Sequence, residues 1–282
     1  MSHNIKVMKV SGNMEKFSRT KLMHSLQRSG ANPTAVDAVV REVETKLFDG
    51  ISSKMIYDLS FSLLRKRELG LAARYKLKKA MMELGPTGYP FEYFVGEIFR
   101  RQGFNVEVGQ ILQGHCVTHE VDVIATKGME QHFIECKYYL RTGKNANVQV
   151  PLYIRSRVDD LIKERRLQPE YSGYTFHGGV VTNTRFTSDA ISFGECTGLH
   201  LLGWDYPEGN GLKEIIDREH IFPITVLTRL SLNEKKMLMD NGFVICSQLL
   251  DHPDALDTIG MNIDKQQKVL REVRFLCPKS LL

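Results

Sequence analysis

The sequence predicts an α/β chain in three parts: a helical amino-terminal domain opened by a β-hairpin (1–85), a central mixed sheet with flanking helices (86–222), and a small all-helical carboxy-terminal domain (223–282). Three observations carry this. Short runs at 121–125 and 132–139, rich in Val, Ile, Phe and Tyr, and two further apolar runs at 179–183 and 199–204 cluster in the middle of the chain and read as strands. Apolar residues at helical spacing dominate on either side of them. Gly85-Pro86-Thr87-Gly88-Tyr89-Pro90 is turn chemistry between two helical stretches, which marks a linker.

In the first part, Ile5 to Val10 alternates as a strand, Ser11-Gly12-Asn13 turns, and Met14 to Phe17 returns as the second arm of the hairpin. Leu22, Met23 and Leu26 line a helix that stops at Gly30. Val36, Val39, Val40, Val43 and Leu47 line a second, opened near Pro33 and closed by Gly50. Ser52 or Ser53 caps a third with Ile56, Leu59 and Leu63, and a fourth runs from about Leu71 to Leu84. This part holds 16 Lys and Arg against 8 Asp and Glu, a balance of +8, whereas the rest of the chain holds 22 against 25, or −3. A basic domain on a near-neutral body points to an anionic partner for that domain.

A hairpin followed by four helices, carrying Val7, Lys9, Gly12, Glu15, Phe17, Lys21 and Leu22 in that order and then Asp49-Gly50-Ile51-Ser52-Ser53, resembles the ATP-cone, a regulatory nucleotide-binding module. The resemblance implies ATP or dATP as an effector. It implies that Lys9 and Lys21 meet phosphates and that Val7, Glu15 and Ser53 help hold the nucleoside. Val10 stands where the family commonly places a further basic residue, which implies fewer phosphate contacts. No GxxxxGK[ST] occurs, so a P-loop is not invoked.

In the central part, Phe91, Phe94, Val95, Ile98 and Phe99 form the buried stripe of a helix. Glu92 sits at the stripe's margin and Glu97 well round towards solvent, so Glu92 is either an extra site carboxylate or an ordinary surface residue. If the turn after 121–125 is centred on Gly128-Met129, Asp122 falls opposite Glu135. Like charges so placed destabilise a sheet, and a divalent cation between them turns the repulsion into coordination. Lys137, two residues beyond Glu135, lies on the same face of its strand. Two carboxylates and a lysine are the apparatus of metal-assisted phosphodiester hydrolysis.

Asp122, Glu135 and Lys137 look like the D…ExK core of the PD-(D/E)xK nucleases. The preceding Phe91-Glu92, then Val121-Asp122-Val123 and Glu135-Cys136-Lys137, narrow the resemblance to Mrr-type restriction endonucleases. It implies Mg2+ or Mn2+ held by Asp122 and Glu135, with DNA as substrate. Lys144, Arg155, Arg157, Lys163, Arg165 and Arg166 stud the next stretch, helical around 154–164; they either follow a DNA backbone or form a solvated face paired with Asp159, Asp160 and Glu164. Strands at 179–183 and 199–204, bridged by a helix from about Thr187, complete the sheet. His115, Cys116 and His119 lie in a polar connector and lack the paired spacing of a zinc site.

In the last part, Ser231-Leu232-Asn233-Glu234 is a capping box, Asn241-Gly242 ends that helix, and Ile259-Gly260-Met261 precedes a longer helix with Ile263, Leu270, Val273 and Leu276. This resembles a degenerate helix-hairpin-helix unit; a protein-interaction module fits as well. Single cysteines without a CxxC pair give neither a zinc ribbon nor a disulfide framework, and no apolar run suggests a membrane span or a signal peptide. The expected protein is therefore cytoplasmic, a metal-dependent DNA endonuclease with a nucleotide-sensing domain, forming a homo-oligomer. The alternative is a nucleotide-responsive DNA-binding regulator whose nuclease fold only binds.

Overall fold

Residues 5–9, 11–67, 69–85, 87–141 and 143–278 are described by a computed structural model. The readings placed on Val10 and Pro86 lie outside them. The chain divides into two compact units, Met1–Lys78 with Val226–Ser231, and Lys79–Thr225 with Leu232–Leu282.

In the first unit, β1 (Lys6–Met8) pairs antiparallel with β2 (Met14–Lys16), so that Val7 faces Glu15, and parallel with β3 (Ile51–Ser52). Four helices follow this hairpin or surround it: α1 (Arg19–Gln27), α2 (Pro33–Glu44), α3 (Ser53–Arg67) and α4 (Leu69–Met81). Their starts are written in the sequence. Ser18 accepts the Lys21 N–H at 3.2 Å, Asn32 the Ala35 N–H at 2.8 Å with Pro33 following it, and Ser52 the Met55 N–H at 3.1 Å. The Val36, Val39, Val40, Val43 stripe is fully buried against Leu26, Ile51 and Leu64. Leu47 packs on this core from outside the helix: α2 tightens at Thr45 and Lys46 and ends at Glu44, short of the predicted Gly50.

In the second unit, α5 (Tyr89–Arg101) leads into β4 (Asn105–Gln113), β5 (Thr118–Lys127) and β6 (Glu130–Lys137). Then come β7 (Asn145–Ala146), α6 (Gln149–Arg165), β8 (Thr175–Thr182), β9 (Arg185–Phe186), α7 (Ser188–Thr197), β10 (His200–Leu202) and α8 (Leu212–Arg218). The five-stranded sheet has the order β10-β8-β6-β5-β4, antiparallel through β4, β5 and β6 and parallel through β6, β8 and β10. This is the predicted mixed sheet, with β4 added. That strand escaped the sequence reading because it is an edge: its outward residues are polar or, like Ile111, 76 % exposed, and Gly109 interrupts it. Phe133, Val180, Ile154, Val158 and Leu161 form the core between the sheet and α6, while Phe91, Phe94, Val95 and Ile98 are buried on α5. Glu97, read as solvent-facing, is instead only 16 % exposed and paired with Arg100.

The carboxy-terminal residues of this unit form α9 (Leu232–Asp240), two single turns, α10 (Gln248–Asp251) and α11 (Ala255–Thr258), and α12 (Ile263–Leu276). Asn262 caps α12 by accepting the Lys265 N–H at 2.9 Å. Its buried face is Val269, Val273 and Leu276, whereas Ile263, expected on that face, is 70 % exposed in the first turn.

Candidate active site

The β5–β6 hairpin turns at Gly128-Met129, with Lys127 opposite Glu130 and Gly128 at φ +58°, as a primed hairpin turn requires. Its register runs to Val123 opposite Ile134, which brings Asp122 level with Glu135. There the ladder opens. Pairing with β6 stops at Val123, and pairing with β4 passes from Val123 to Val121, skipping Asp122 and Gly109, whose φ is +64°. Asp122 uses its side chain instead: Oδ2 accepts the Cys136 N–H at 2.6 Å.

Glu135 and Lys137 lie on one face of β6, opposite Val180 and Thr182 of β8, and meet α6. Arg157 donates to Glu135 Oε2 at 2.9 Å and the Tyr153 hydroxyl to Oε1 at 3.2 Å; Lys137 Nζ stands 5.9 Å from the centre of the Tyr153 ring. Arg157 also donates to the Glu120 carbonyl. Tyr153 and Arg157, four residues apart on α6, thus form one wall of the site. Sequence reasoning missed Tyr153 and placed Arg157 among residues tracking DNA or pairing with Asp159, Asp160 and Glu164. Of those acids, Asp159 does pair within the set, with Arg155 at 2.7 Å, whereas Asp160 is taken by His119 at 2.9 Å and Glu164 lies 3.9 Å from His115. His119 is a residue of β5 and not of a connector; Asp160 ties it, together with the Cys116 and Val117 N–H groups, to α6.

The acids interact strongly. Burial and then the Glu135 charge raise Asp122 to about 7. Glu92 is half-buried and raised by burial, then by Glu120 and Glu135, so its carboxylate stands in the field of this group. The strand end that carries Lys137 is secured from β8. Thr182 Oγ1 donates to the Lys137 carbonyl at 2.7 Å, and the Asn183 amide exchanges two 2.9 Å hydrogen bonds with the Tyr139 main chain. Asp122 and Glu135 offer hard oxygen ligands beside further acid, a set that fits Mg2+ or Mn2+.

In the first unit, Val7, Lys9, Glu15, Lys21 and Ser53 all line one cavity of about 260 Å³. Lys9 and Lys21 both pair with Glu15, at 3.2 and 3.4 Å, and hold its carboxyl below the usual range. Tyr57 and Tyr75, stacked at 5.0 Å, line the same cavity.

Residues 85–205 match the restriction endonuclease family model, Mrr_cat. All of Glu92, Asp122, Glu135, Lys137, Tyr153 and Arg157 fall within this restriction-endonuclease-like domain. A second model, described as AF1548-like, C-terminal, matches residues 222–277, the segment read from sequence as a helix-hairpin-helix or interaction module. An uncharacterized protein of Archaeoglobus fulgidus is 29% identical over 181 residues, covering 64% of this chain and 98% of its own length. A crystal structure of a protein of unknown function, AF1548, superposes with a TM-score of 0.55 at 27% identity, over 67% of this chain and 98% of that one. Among the described residues no helix is long and apolar enough to cross a membrane.

Proposed function

We infer that the chain is a metal-dependent endodeoxyribonuclease whose activity or oligomeric state responds to ATP or dATP. The restriction-endonuclease-like domain supports a nuclease with DNA as its substrate. The observation that carries the finer reading is the hairpin register, which brings Asp122 level with Glu135, with Lys137 two residues on along the same face of the strand. Asp122 and Glu135 would hold Mg2+ or Mn2+, which would supply an acidified water and neutralise charge on the phosphate. Lys137 is placed to steady the developing oxyanion or orient the attacking water. Glu92 adds negative charge at the margin. Tyr153 and Arg157 orient Glu135 by donating to its two oxygens.

For the first unit, the cavity supports a nucleotide with its phosphates on Lys9 and Lys21 and its nucleoside beside Val7, Glu15 and Ser53. A triphosphate bound there would take the place of Glu15 on both lysines. The nucleotide acts as a signal, shifting an equilibrium between states that bind it unequally, here between subunit assemblies. The test is cleavage of plasmid DNA in Mg2+ or Mn2+, with ATP or dATP present or absent. Wild type should cut and Asp122→Ala should not; equal cutting by both sinks the catalytic reading.

One observation favours the second reading, a DNA-binding regulator without catalysis: both oxygens of Glu135 are engaged by α6. DNA binding by a chain that cuts in no divalent metal would establish it.

A further inference from the structure

Another cluster lies on the opposite face of β6 from Glu135 and Lys137, as the period-two alternation of Glu130 and His132 requires. His177 of β8 is paired directly opposite His132, and His200 of β10 enters beside Gly179, so three imidazoles cross three neighbouring strands. Their ring centres are 4.7 Å apart for His132 and His177, 5.2 Å for His177 and His200, and 5.7 Å for His132 and His200. Glu130 Oε1 lies between the first two, 2.8 Å from His132 Nε2 and 3.3 Å from His177 Nε2. One ligand atom from each of Glu130, His132 and His177 falls within 4.8 Å of the others.

We propose that Glu130, His132 and His177 hold a first-row transition-metal ion of the zinc class, at a site separate from the nuclease carboxylates. A tetrahedral ion with bonds of about 2.0–2.1 Å sets its ligand atoms about 3.4 Å apart. The Glu130–His177 separation of 3.3 Å already lies near that spacing, and the 2.8 Å Glu130–His132 contact would open by about 0.6 Å to reach it. The three ligands stand on two hydrogen-bonded strands whose relative position the sheet fixes, so little reorganisation is needed. Two imidazoles and one carboxylate select Zn2+, Co2+ or Ni2+ over Mg2+, whose preference is for oxygen ligands and water.

The surroundings suit an ion. His132 is 6 % exposed, and its Nδ1 is buried with no hydrogen-bond partner among the described residues. The adjoining cavity of about 310 Å³, lined by Glu130, His132 and His200 among others, has room for water to complete the coordination. Glu130 and His177 are partly exposed, which gives the ion a way in.

The test uses the full chain, stripped with a chelator and titrated calorimetrically with Zn2+, with Co2+ absorption as a second readout. To exclude the nuclease carboxylates, both are run in the Asp122→Asn, Glu135→Gln double variant. The proposal expects one ion per chain in that background, a Co2+ spectrum of tetrahedral or five-coordinate type, and at least a tenfold loss of affinity with His177→Ala. His177 is at the strand surface, and circular dichroism reports whether the fold persists; Glu130→Gln, at a more exposed position, gives the same reading should His177→Ala unfold. No ion bound in the double variant overturns the proposal, as does unchanged affinity in folded His177→Ala or in Glu130→Gln.

Discussion

Replacing Asp122 by Asn should stabilise the metal-free protein while abolishing its chemistry. Burial, and next the Glu135 charge, raise the Asp122 carboxyl from 3.8 to about 7. Between those values the unfolded chain has released this proton and the folded chain retains it. The folded state then binds more protons, and its stability falls as pH climbs from about 4 to about 7. Above that the penalty is constant, and at about 1.4 kcal/mol for each tenfold change in the proton equilibrium it reaches about 4 kcal/mol.

A neutral amide escapes the penalty and its carbonyl still accepts the Cys136 N–H, so the variant should gain a large part of it. With about 2–4 °C per kcal/mol for a unit of this size, the gain is several degrees or more in Tm. Thermal melts in EDTA from pH 4 to pH 8 should show the Asp122→Asn curve above wild type at pH 8, with the gap closing towards pH 4. Mn2+ should reverse the order, because only wild type then gains from binding to the folded state. An equal or lower Tm for the variant in EDTA at pH 8 would refute the view that Asp122 is a buried, crowded carboxylate awaiting a cation.

Mg2+ affinity measured by calorimetry should rise up to about tenfold per pH unit below about 7 and level off above, since the ion displaces the Asp122 proton; a flat profile from pH 5 to 8 would place the ion elsewhere. Glu135→Ala and Lys137→Ala should each lower plasmid cutting by at least about a hundredfold with circular dichroism unchanged. Arg157→Ala removes the cation facing Glu135 and should cost about 1–3 kcal/mol of metal-free stability while tightening Mg2+ binding, a pair of changes that a merely solvated arginine would not give. Lys9→Ala and Lys21→Ala in the full chain should weaken ATP or dATP binding about tenfold each, and light scattering with saturating nucleotide should show a changed oligomeric state that these variants lack. The full chain is the right sample, because residues 226–231 group with the amino-terminal unit and a fragment ending at residue 85 omits them.

The parts legible in the sequence were those in which neighbours along the chain decide the outcome. Gly128-Met129 between two apolar runs fixed the hairpin and the level of Asp122 with Glu135, and Pro33 and Ser52 marked helix starts. What escaped was assembled across distance. Arg157 and Tyr153 read as ordinary residues of a charged helix until α6 crosses β6. His132, His177 and His200 come one from each of three strands, so no spacing betrays them; only the parallel register brings them together. The opening of the ladder at Asp122 had one local sign, Gly109, hidden in an edge strand whose half-exposed pattern concealed the strand itself.

Asn183 completes the sheet with its side chain. Its amide both accepts from the Tyr139 N–H and donates to the Tyr139 carbonyl, so it serves as a surrogate peptide unit just past the last residue of β6. An aspartate there would have nearly the same shape, yet it would set a carboxylate oxygen against that carbonyl and turn one attraction into a repulsion. Tolerance at this position is thus governed by polarity and not by size. Hydrolysis of this one amide, a change of a single mass unit, would loosen the strand end from which Lys137 is presented.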